Sequence, residues 1–218
     1  MRQTETPDAA RAGETVVLLH GLWTNRAVMA FLARHLAGRG FRTRSLGYLS
    51  AIRSVEQNVE HTCRAMQDLA ASRLHFVAHS YGGVVCLRAL ERARDPRVGR
   101  VVLLGSPIAG SEGGRQLARS RWAARLLGKT RSLWLAMPRL DIPAGVEAGA
   151  IAGTRRFGLG GLLLRLPLPN DGVVTVDETR HPRLADHLVL PVAHSLMLVS
   201  PAVARQVAAF LETGRFAR

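Results

Sequence analysis

Short apolar runs separated by helix-type stretches are the feature that most restricts the fold of this 218-residue chain. The run at residues 15–20 is followed by comparable runs at 74–78 and 101–104, each four to six residues long. Between the first two, residues 54–71 carry apolar side chains every three or four positions, which is typical of an amphipathic helix. Strands that alternate with helices in this way predict an α/β fold with a mostly parallel central sheet flanked by helices.

The remaining elements follow from the same patterns. Further strands are predicted at residues 41–46, 148–152 and 187–192, and further helices at 25–37, 82–94 and from 201 onward. Ser54 and Gln57 have the spacing of a capping box. Ser200 is placed to cap the last helix, with Pro201 at its favoured first position.

The chain length is sufficient for one hydrophobic core, so residues 15–218 are predicted to form a single domain. Residues 1–14 are polar and are predicted to be a flexible tail. Within the domain, residues 108–168 carry only one expected strand and form an excursion above the sheet that resembles a lid or cap. A basic amphipathic helix is predicted at 115–127, and residues 157–168 are apolar and rich in glycine.

Charge and cysteine content exclude several classes of protein. The net charge is +14, but the 29 arginines are scattered and no nucleic-acid-binding motif accompanies them, so no nucleic acid partner is expected.

No run approaches 18 apolar residues, which predicts no transmembrane helix. Cys63 and Cys86 fall on apolar helix faces and are predicted to be buried thiols. Without a signal-peptide pattern, a cytoplasmic location is expected.

The strongest chemical signal is a serine between a strand and a helix. In Ala78-His79-Ser80-Tyr81-Gly82, small residues stand two positions before and two after the serine. A tight strand-to-helix turn needs these small residues because bulkier ones would strike neighbouring backbone. The pattern is that of a nucleophile elbow, which predicts Ser80 as a nucleophile. The N–H of Tyr81, at a helix start, is placed to stabilise an oxyanion.

A second signal lies about 60 residues upstream, where the first strand ends in His20-Gly21. A turn after this strand can direct a backbone N–H toward the nucleophile, which predicts Leu22 as the second oxyanion donor and Trp23 as the alternative. His20 itself is interpreted as a residue that holds the loop, because the donor here needs only backbone.

A serine nucleophile requires a base that is itself oriented by a third group. The partners of an elbow serine follow in the order acid, then histidine. This order removes five of the eight histidines, which are His20, His35, His61, His75 and His79. His194 is favoured over His181 and His187 because it lies in a loop between the last predicted strand and the last helix.

The candidate acids are Asp141, Asp171, Asp177, Glu178 and Asp186. Asp171 lies in the turn Asn170-Asp171-Gly172, which is followed by two valines and could present one carboxylate to an imidazole. An ordinary Asp-Gly turn explains this motif about equally well. Asp177 is the second candidate.

These motifs resemble the α/β-hydrolase superfamily, and within it the small bacterial lipases and PGAP1-like serine esterases. The resemblance covers nearly the whole chain in element order and includes the His-Gly loop, the elbow, Leu-Gly-Ser-Pro at 104–107 and Asn-Asp-Gly-Val-Val at 170–174. It implies Asp171 as the acid and a minimal version of the fold. One position departs from the lipase pattern, because Ile108 stands where a histidine is usual.

The resemblance implies a serine esterase or lipase that forms an acyl-serine intermediate and requires no metal or organic cofactor. The partner is then a small-molecule or lipid ester, and Trp23, Ile108 and Leu163 are expected to contact it. Trp122 and Trp134 are interpreted as packing over the sheet. The arginines of the excursion leave peripheral membrane contact open, and the oligomeric state is also open. An acyltransferase with the same triad and a non-catalytic acyl-binding protein are the alternatives.

Overall fold

The computed structural model describes residues 13–218, except for the side chain of Leu159. The predicted tail at 1–14 therefore lies outside the described residues, apart from Gly13 and Glu14. Glu14 belongs to the first strand rather than to a tail.

The strands and helices alternate as the sequence predicts. The strands are β1 (Glu14–Leu19), β2 (Arg42–Leu46), β3 (Arg73–His79), β4 (Val98–Leu104), β5 (Glu147–Gly153) and β6 (Asp186–Leu190). The helices are α1 (Ala30–Ala37), α2 (Val55–Gln67), α3 (Tyr81–Ala93), α4 (Glu112–Arg119), α5 (Ala123–Leu126), α6 (Arg131–Leu135), α7 (Leu159–Leu163) and α8 (Pro201–Thr213). Short 3₁₀ turns at Arg26–Met29, Gly128–Thr130, Asp177–Thr179 and Ser195–Val199 complete the chain.

The six strands form one parallel sheet in the order β2-β1-β3-β4-β5-β6. The predicted α/β class with a parallel sheet is confirmed. In a parallel sheet all the carboxyl ends meet at one edge, and ligand sites of open α/β sheets form there. The loops that follow β1, β3 and β6 therefore lie on the same side of the molecule.

Side-chain alternation along the strands divides the core into two layers. On one face, strand residues such as Val17 and Phe76 pack against α2, α3 and the excursion. On the other face, their neighbours Val16 and Val77 pack against α1 and α8. The central strands are consequently buried on both faces, which explains their continuous apolar sequence.

Two helix starts follow their predicted capping. The Ser54 hydroxyl accepts from the Gln57 N–H, and the Gln57 side chain accepts from the Ser54 N–H, which closes the capping box. Ser200 caps α8, with Pro201 as its first residue. Cys63 and Cys86 are buried free thiols, as predicted.

The excursion differs from its prediction in two respects. The expected single helix at 115–127 is divided into α4 and α5, because the chain leaves helical geometry at Ser120. Trp134 is buried as expected, but Trp122 is 79% exposed, so its predicted packing over the sheet is wrong. In residues 13–218, we find no helix with both the length and the apolar character needed to cross a membrane.

Candidate active site

Ser80 occupies a strained turn between β3 and α3. Its φ of 55° and ψ of −125° lie outside the regions that residues with a side chain normally adopt. Close packing between the start of α3 and the end of β1 maintains this strained conformation. A Cβ added at Gly82 would lie 2.6 Å from the carbonyl oxygen of Leu19 and 2.7 Å from that of His20. A small residue two positions after the serine is therefore a steric requirement, as the sequence motif indicates.

Replacing Gly82 with alanine should test this packing. The added methyl group meets two backbone oxygens that cannot rotate away, so we expect the free energy of unfolding to fall by about 1–3 kcal/mol. Gly38→Ala is the matched control, because a Cβ there lies 3.5 Å from its nearest neighbours and should change stability by less than about 0.5 kcal/mol. Urea unfolding followed by tryptophan fluorescence measures both. Equal stability of the two variants would contradict the steric argument.

Three side chains from distant parts of the sequence meet at this turn. Nε2 of His194 lies 2.9 Å from Oγ of Ser80, and Nδ1 of His194 lies 2.7 Å from Oδ2 of Asp171. Asp171 and His194 are both buried, and the Ser80 side is more open. The three residues that the sequence analysis favoured are thus hydrogen-bonded in series, with the imidazole between hydroxyl and carboxylate.

The backbone around Asp171 fixes which carboxylate oxygen faces the imidazole. Oδ1 accepts hydrogen bonds from the N–H groups of Val173 (2.9 Å) and Val174 (2.8 Å). Oδ2 is left for Nδ1 of His194, and the His194 N–H also donates to the Asp171 carbonyl at 3.1 Å. The Asp-Gly turn is therefore both a turn and an anchor for the imidazole.

Gly105, which follows β4, allows this pair to approach the sheet. Its φ is +51°, and an added Cβ would lie 3.0 Å from both Oδ2 of Asp171 and Nδ1 of His194. Glycine suits this position because it adopts a positive φ without strain and has no Cβ that would crowd the two side chains.

The competing candidates lie elsewhere. Asp177 is exposed and lies near Arg180. The imidazole of His187 contacts the Thr179 hydroxyl, and that of His181 faces Asp141. None of these side chains is hydrogen-bonded to Ser80 or His194.

The two predicted oxyanion donors belong to the residue after the serine and to the cavity wall. The N–H of Tyr81 is the first of α3, so it has no acceptor within its own helix. Leu22 lines the same cavity as Ser80. The alternative donor, the N–H of Trp23, is occupied, because it donates to Oγ of Ser50 at 3.0 Å.

His20 holds the loop that carries Leu22, in agreement with its structural interpretation. Its Nδ1 lies 2.9 Å from the Gly21 carbonyl oxygen, and its ring stacks on Tyr48 with centroids 4.2 Å apart. The Tyr48 N–H points at Nε2, so the proton resides on Nδ1.

His79, which the sequence analysis excluded as a base, lies against the base itself. Its Nε2 donates to the His194 carbonyl oxygen at 3.1 Å, and the two ring centroids are 4.7 Å apart. Nδ1 is buried and has no hydrogen-bond partner within residues 13–218. Burial, and to a smaller extent the neighbouring His194, lowers the pKa of His79 to about 3. His79 is therefore a neutral donor that supports the loop of His194.

The depressed pKa of His79 should make stability depend on pH. Between pH 3 and 6.5 the unfolded chain binds a proton at this residue and the folded chain does not. The free energy of unfolding is therefore at its full value above pH 6.5 and falls as the pH is lowered. His79→Gln should flatten this slope by up to about 1.4 kcal/mol per pH unit. Urea titrations at pH 4, 5, 6 and 7 measure it; parallel curves for the variant and the original chain would contradict the assignment.

A cavity of about 490 Å³ opens beside Ser80. Its wall is largely apolar, and the side chains that give it this character are Trp23, Val28, Leu117, Leu127, Trp134, Val173 and Val199. Trp23 was expected here, and its indole N–H also donates to the Leu126 carbonyl at 2.7 Å. The other two predicted contacts, Ile108 and Leu163, do not line this cavity.

Ile108 is fully buried below the cavity wall, and its neighbour Pro107 takes the lining position. Leu163 is 68% exposed on the outer side of α7. The sequence analysis did not identify Leu117, Leu127 and Trp134 as cavity-lining residues. Their positions depend on how α4, α5 and α6 fold over the sheet. No local pattern in the sequence distinguishes them from ordinary core residues.

Comparison with known proteins gives a consistent assignment. A family model described as "Alpha/beta hydrolase family" matches residues 16–214. A search of curated proteins finds no match.

Several solved structures share the fold. The mature form of a Bacillus licheniformis lipase, BlEst2, superimposes with a TM-score of 0.75 at 20% identity, covering 99% of this chain and 96% of that one. A metagenomic carboxyl esterase gives a TM-score of 0.63 at 21% identity, over 84% of this chain and 65% of that chain. The carboxylesterase CesB from Bacillus subtilis gives 0.56 at 16% identity, over 93% and 84%. Since the family model spans most of the described domain, this chain belongs to the alpha/beta hydrolase family.

Proposed function

We propose that this protein is a serine hydrolase that cleaves carboxylic esters through an acyl-serine intermediate. The observation that carries the proposal is the position of His194. One of its ring nitrogens lies 2.9 Å from Oγ of Ser80 and the other 2.7 Å from Oδ2 of Asp171. An imidazole held between a strained hydroxyl and a buried carboxylate can move a proton in both directions during acyl transfer.

In the first half-reaction, Nε2 of His194 accepts the Ser80 proton while Oγ attacks the carbonyl carbon of the ester. The carbonyl oxygen becomes an oxyanion, which the N–H groups of Tyr81 and Leu22 stabilise. His194 then protonates the alkoxy oxygen as its bond to carbon breaks. The alcohol leaves, and the acyl group remains on Ser80.

In the second half-reaction, water takes the place of the alcohol. His194 accepts a proton from water as the hydroxide oxygen attacks the acyl carbon, and returns that proton to Oγ when the acyl–serine bond breaks. Asp171 holds the imidazole with its proton on Nδ1 and stabilises the charged form in both steps. Ser80 is half-buried at the wall of an open cavity, so water can reach the acyl group. Hydrolysis therefore needs no acceptor other than water from the solvent.

The apolar wall indicates an ester with a hydrocarbon acyl group. Leu117, Leu127 and Trp134 offer no charged partner, so the binding of such a group would rest on burial of its methylene groups. The similarity of the fold to a lipase and to carboxyl esterases supports the same class of substrate.

A series of p-nitrophenyl esters from acetate to palmitate tests this function. Burial contributes about 0.8 kcal/mol per methylene group, so we expect kcat/KM to rise at least tenfold from acetate to octanoate. Leu117→Trp should narrow the cavity and reduce that preference while acetate turnover is retained. Absence of ester turnover in protein whose Ser80 still reacts with a fluorophosphonate would contradict the proposal that esters are the substrates.

A further inference from the structure

Apolar side chains remain exposed around the opening of the cavity. Trp23 and Val199 line the cavity and are both more than half exposed. Leu126, whose carbonyl receives the Trp23 indole N–H, turns its side chain to solvent, and Trp122 in the same turn region is more exposed still. A monomeric soluble protein rarely exposes such a contiguous group, and exposed apolar patches of this kind mark interaction sites.

A second exposed group lies next to another cavity-lining residue, Val173. Helix α7 packs on the turn that carries Val173, since a Cβ added at Gly160 would lie 2.8 Å from Cγ2 of Val173, a cavity-lining residue. Phe157 and Leu162, at the start and on the outside of this segment, are both highly exposed. Together with Trp23, Trp122, Leu126 and Val199 they form what we call the mouth face.

The charge next to the mouth face is mainly positive, although Glu112 pairs with Arg115 at its border. Residues 113–140 contain six arginines and one lysine and no aspartate or glutamate. Arg121 and Arg125 are exposed, and the Arg125 guanidinium carbon lies 5.9 Å from the centre of the Trp122 ring. Arg155 and Arg156, which directly precede Phe157, add two further positive charges next to the second group.

We propose that the mouth face docks on the surface of an anionic phospholipid bilayer. Exposed tryptophan, phenylalanine and leucine side chains insert at the boundary of headgroups and acyl chains, and surrounding arginines contact lipid phosphates. A protein surface, in contrast, would have to supply both a large apolar face and many carboxylates. Docking in this orientation places the opening of the cavity against the lipid. The proposal concerns binding alone and goes beyond the proposed esterase activity.

Co-sedimentation with lipid vesicles tests the proposal with matched variants of the full chain. We expect partitioning onto phosphatidylcholine vesicles that contain 30% phosphatidylglycerol, and at least tenfold weaker partitioning onto phosphatidylcholine alone. The double variant Arg121→Glu, Arg125→Glu should lose at least tenfold in the partition coefficient, because each arginine near an anionic surface contributes about fivefold. Trp122→Ser should weaken binding without any change in charge.

The matched control reverses the same charge away from the mouth face. Arg73 and Arg94 are exposed. Arg73 begins β3 and Arg94 follows α3, so each lies roughly 20 Å from Ser80 along its own element. The double variant Arg73→Glu, Arg94→Glu should bind vesicles as the original chain does. Equal losses in the two double variants would reduce the effect to net charge and overturn the proposal. Absence of vesicle binding by the original chain would also overturn the proposal. Self-association of the chain without vesicle binding, detected by light scattering, would do the same. Turnover of soluble p-nitrophenyl acetate by Arg121→Glu, Arg125→Glu should be unchanged, which separates loss of docking from failure of the proposed activity.

Discussion

Ser80→Ala is expected to lower kcat for ester hydrolysis on the order of 10⁶-fold. The substitution removes the one oxygen that lies 2.9 Å from Nε2 of His194, so no acyl-enzyme can form. A fluorophosphonate probe should label the original chain and leave the variant unlabelled. The residual rate should come only from binding of the ester and stabilisation of the oxyanion, because both remain after the nucleophile is removed.

The control for Ser80→Ala is a second hydroxyl of the same cavity. Ser195 lines the cavity and is exposed, and its hydroxyl is not the one that His194 contacts. Ser195→Ala should therefore keep both labelling and turnover within a few-fold. If Ser80→Ala retained labelling while Ser195→Ala lost it, the nucleophile would have to be reassigned to Ser195.

Asp171→Asn is expected to lower kcat about 10⁴-fold with little change in KM. Two backbone N–H groups, those of Val173 and Val174, occupy Oδ1, so the carbonyl oxygen of an asparagine would take that position. Its amide N–H would then point at Nδ1 of His194, which favours the imidazole tautomer protonated on Nε2. That tautomer cannot accept the proton of Ser80. The loss should therefore appear in kcat while the cavity continues to bind ester.

Asp177→Asn provides the comparison, because it makes the same chemical change in the second acid candidate. Asp177 is 90% exposed and pairs only loosely with Arg180, at 3.5 Å. Its substitution should leave kcat within a few-fold. A larger loss from Asp177→Asn than from Asp171→Asn would transfer the role of acid to Asp177. Circular dichroism of both variants controls for folding.

The sequence was most informative where a local pattern dictates a local geometry. The apolar runs before His20 and Ser80 predicted buried parallel strands, because strands covered on both faces leave no position for polar residues. The elbow at Ser80 was recognisable because small residues at 78 and 82 answer a steric demand that is visible in the packing of Gly82. His194 followed from the order of elements, since its loop ends at the same sheet edge as β3.

The residues that the sequence did not identify depend on packing between segments. Trp122 and Trp134 look alike in sequence, yet the break at Ser120 leaves the first exposed while the second packs on Tyr81. Leu163 and Leu164 are adjacent leucines, of which only the second is buried. Ile108 was assigned from a family pattern, but Pro107 takes the wall position. Such choices depend on the arrangement of α4 to α7 over the sheet, which the helical pattern at 115–127 does not determine.

The order of the strands also determines when the proposed catalyst could come together during synthesis. Ser80 and His194 are 114 residues apart, and β6 pairs only with β5 at the edge of the sheet. A nascent chain that has just released β3 and α3 from the ribosome therefore carries the serine turn without its imidazole. Because parallel pairings between distant segments form slowly, reactivity should arise late, after the last strand has added to the edge. The nascent chain would then have no esterase chemistry until His194 has left the ribosome and its loop has docked.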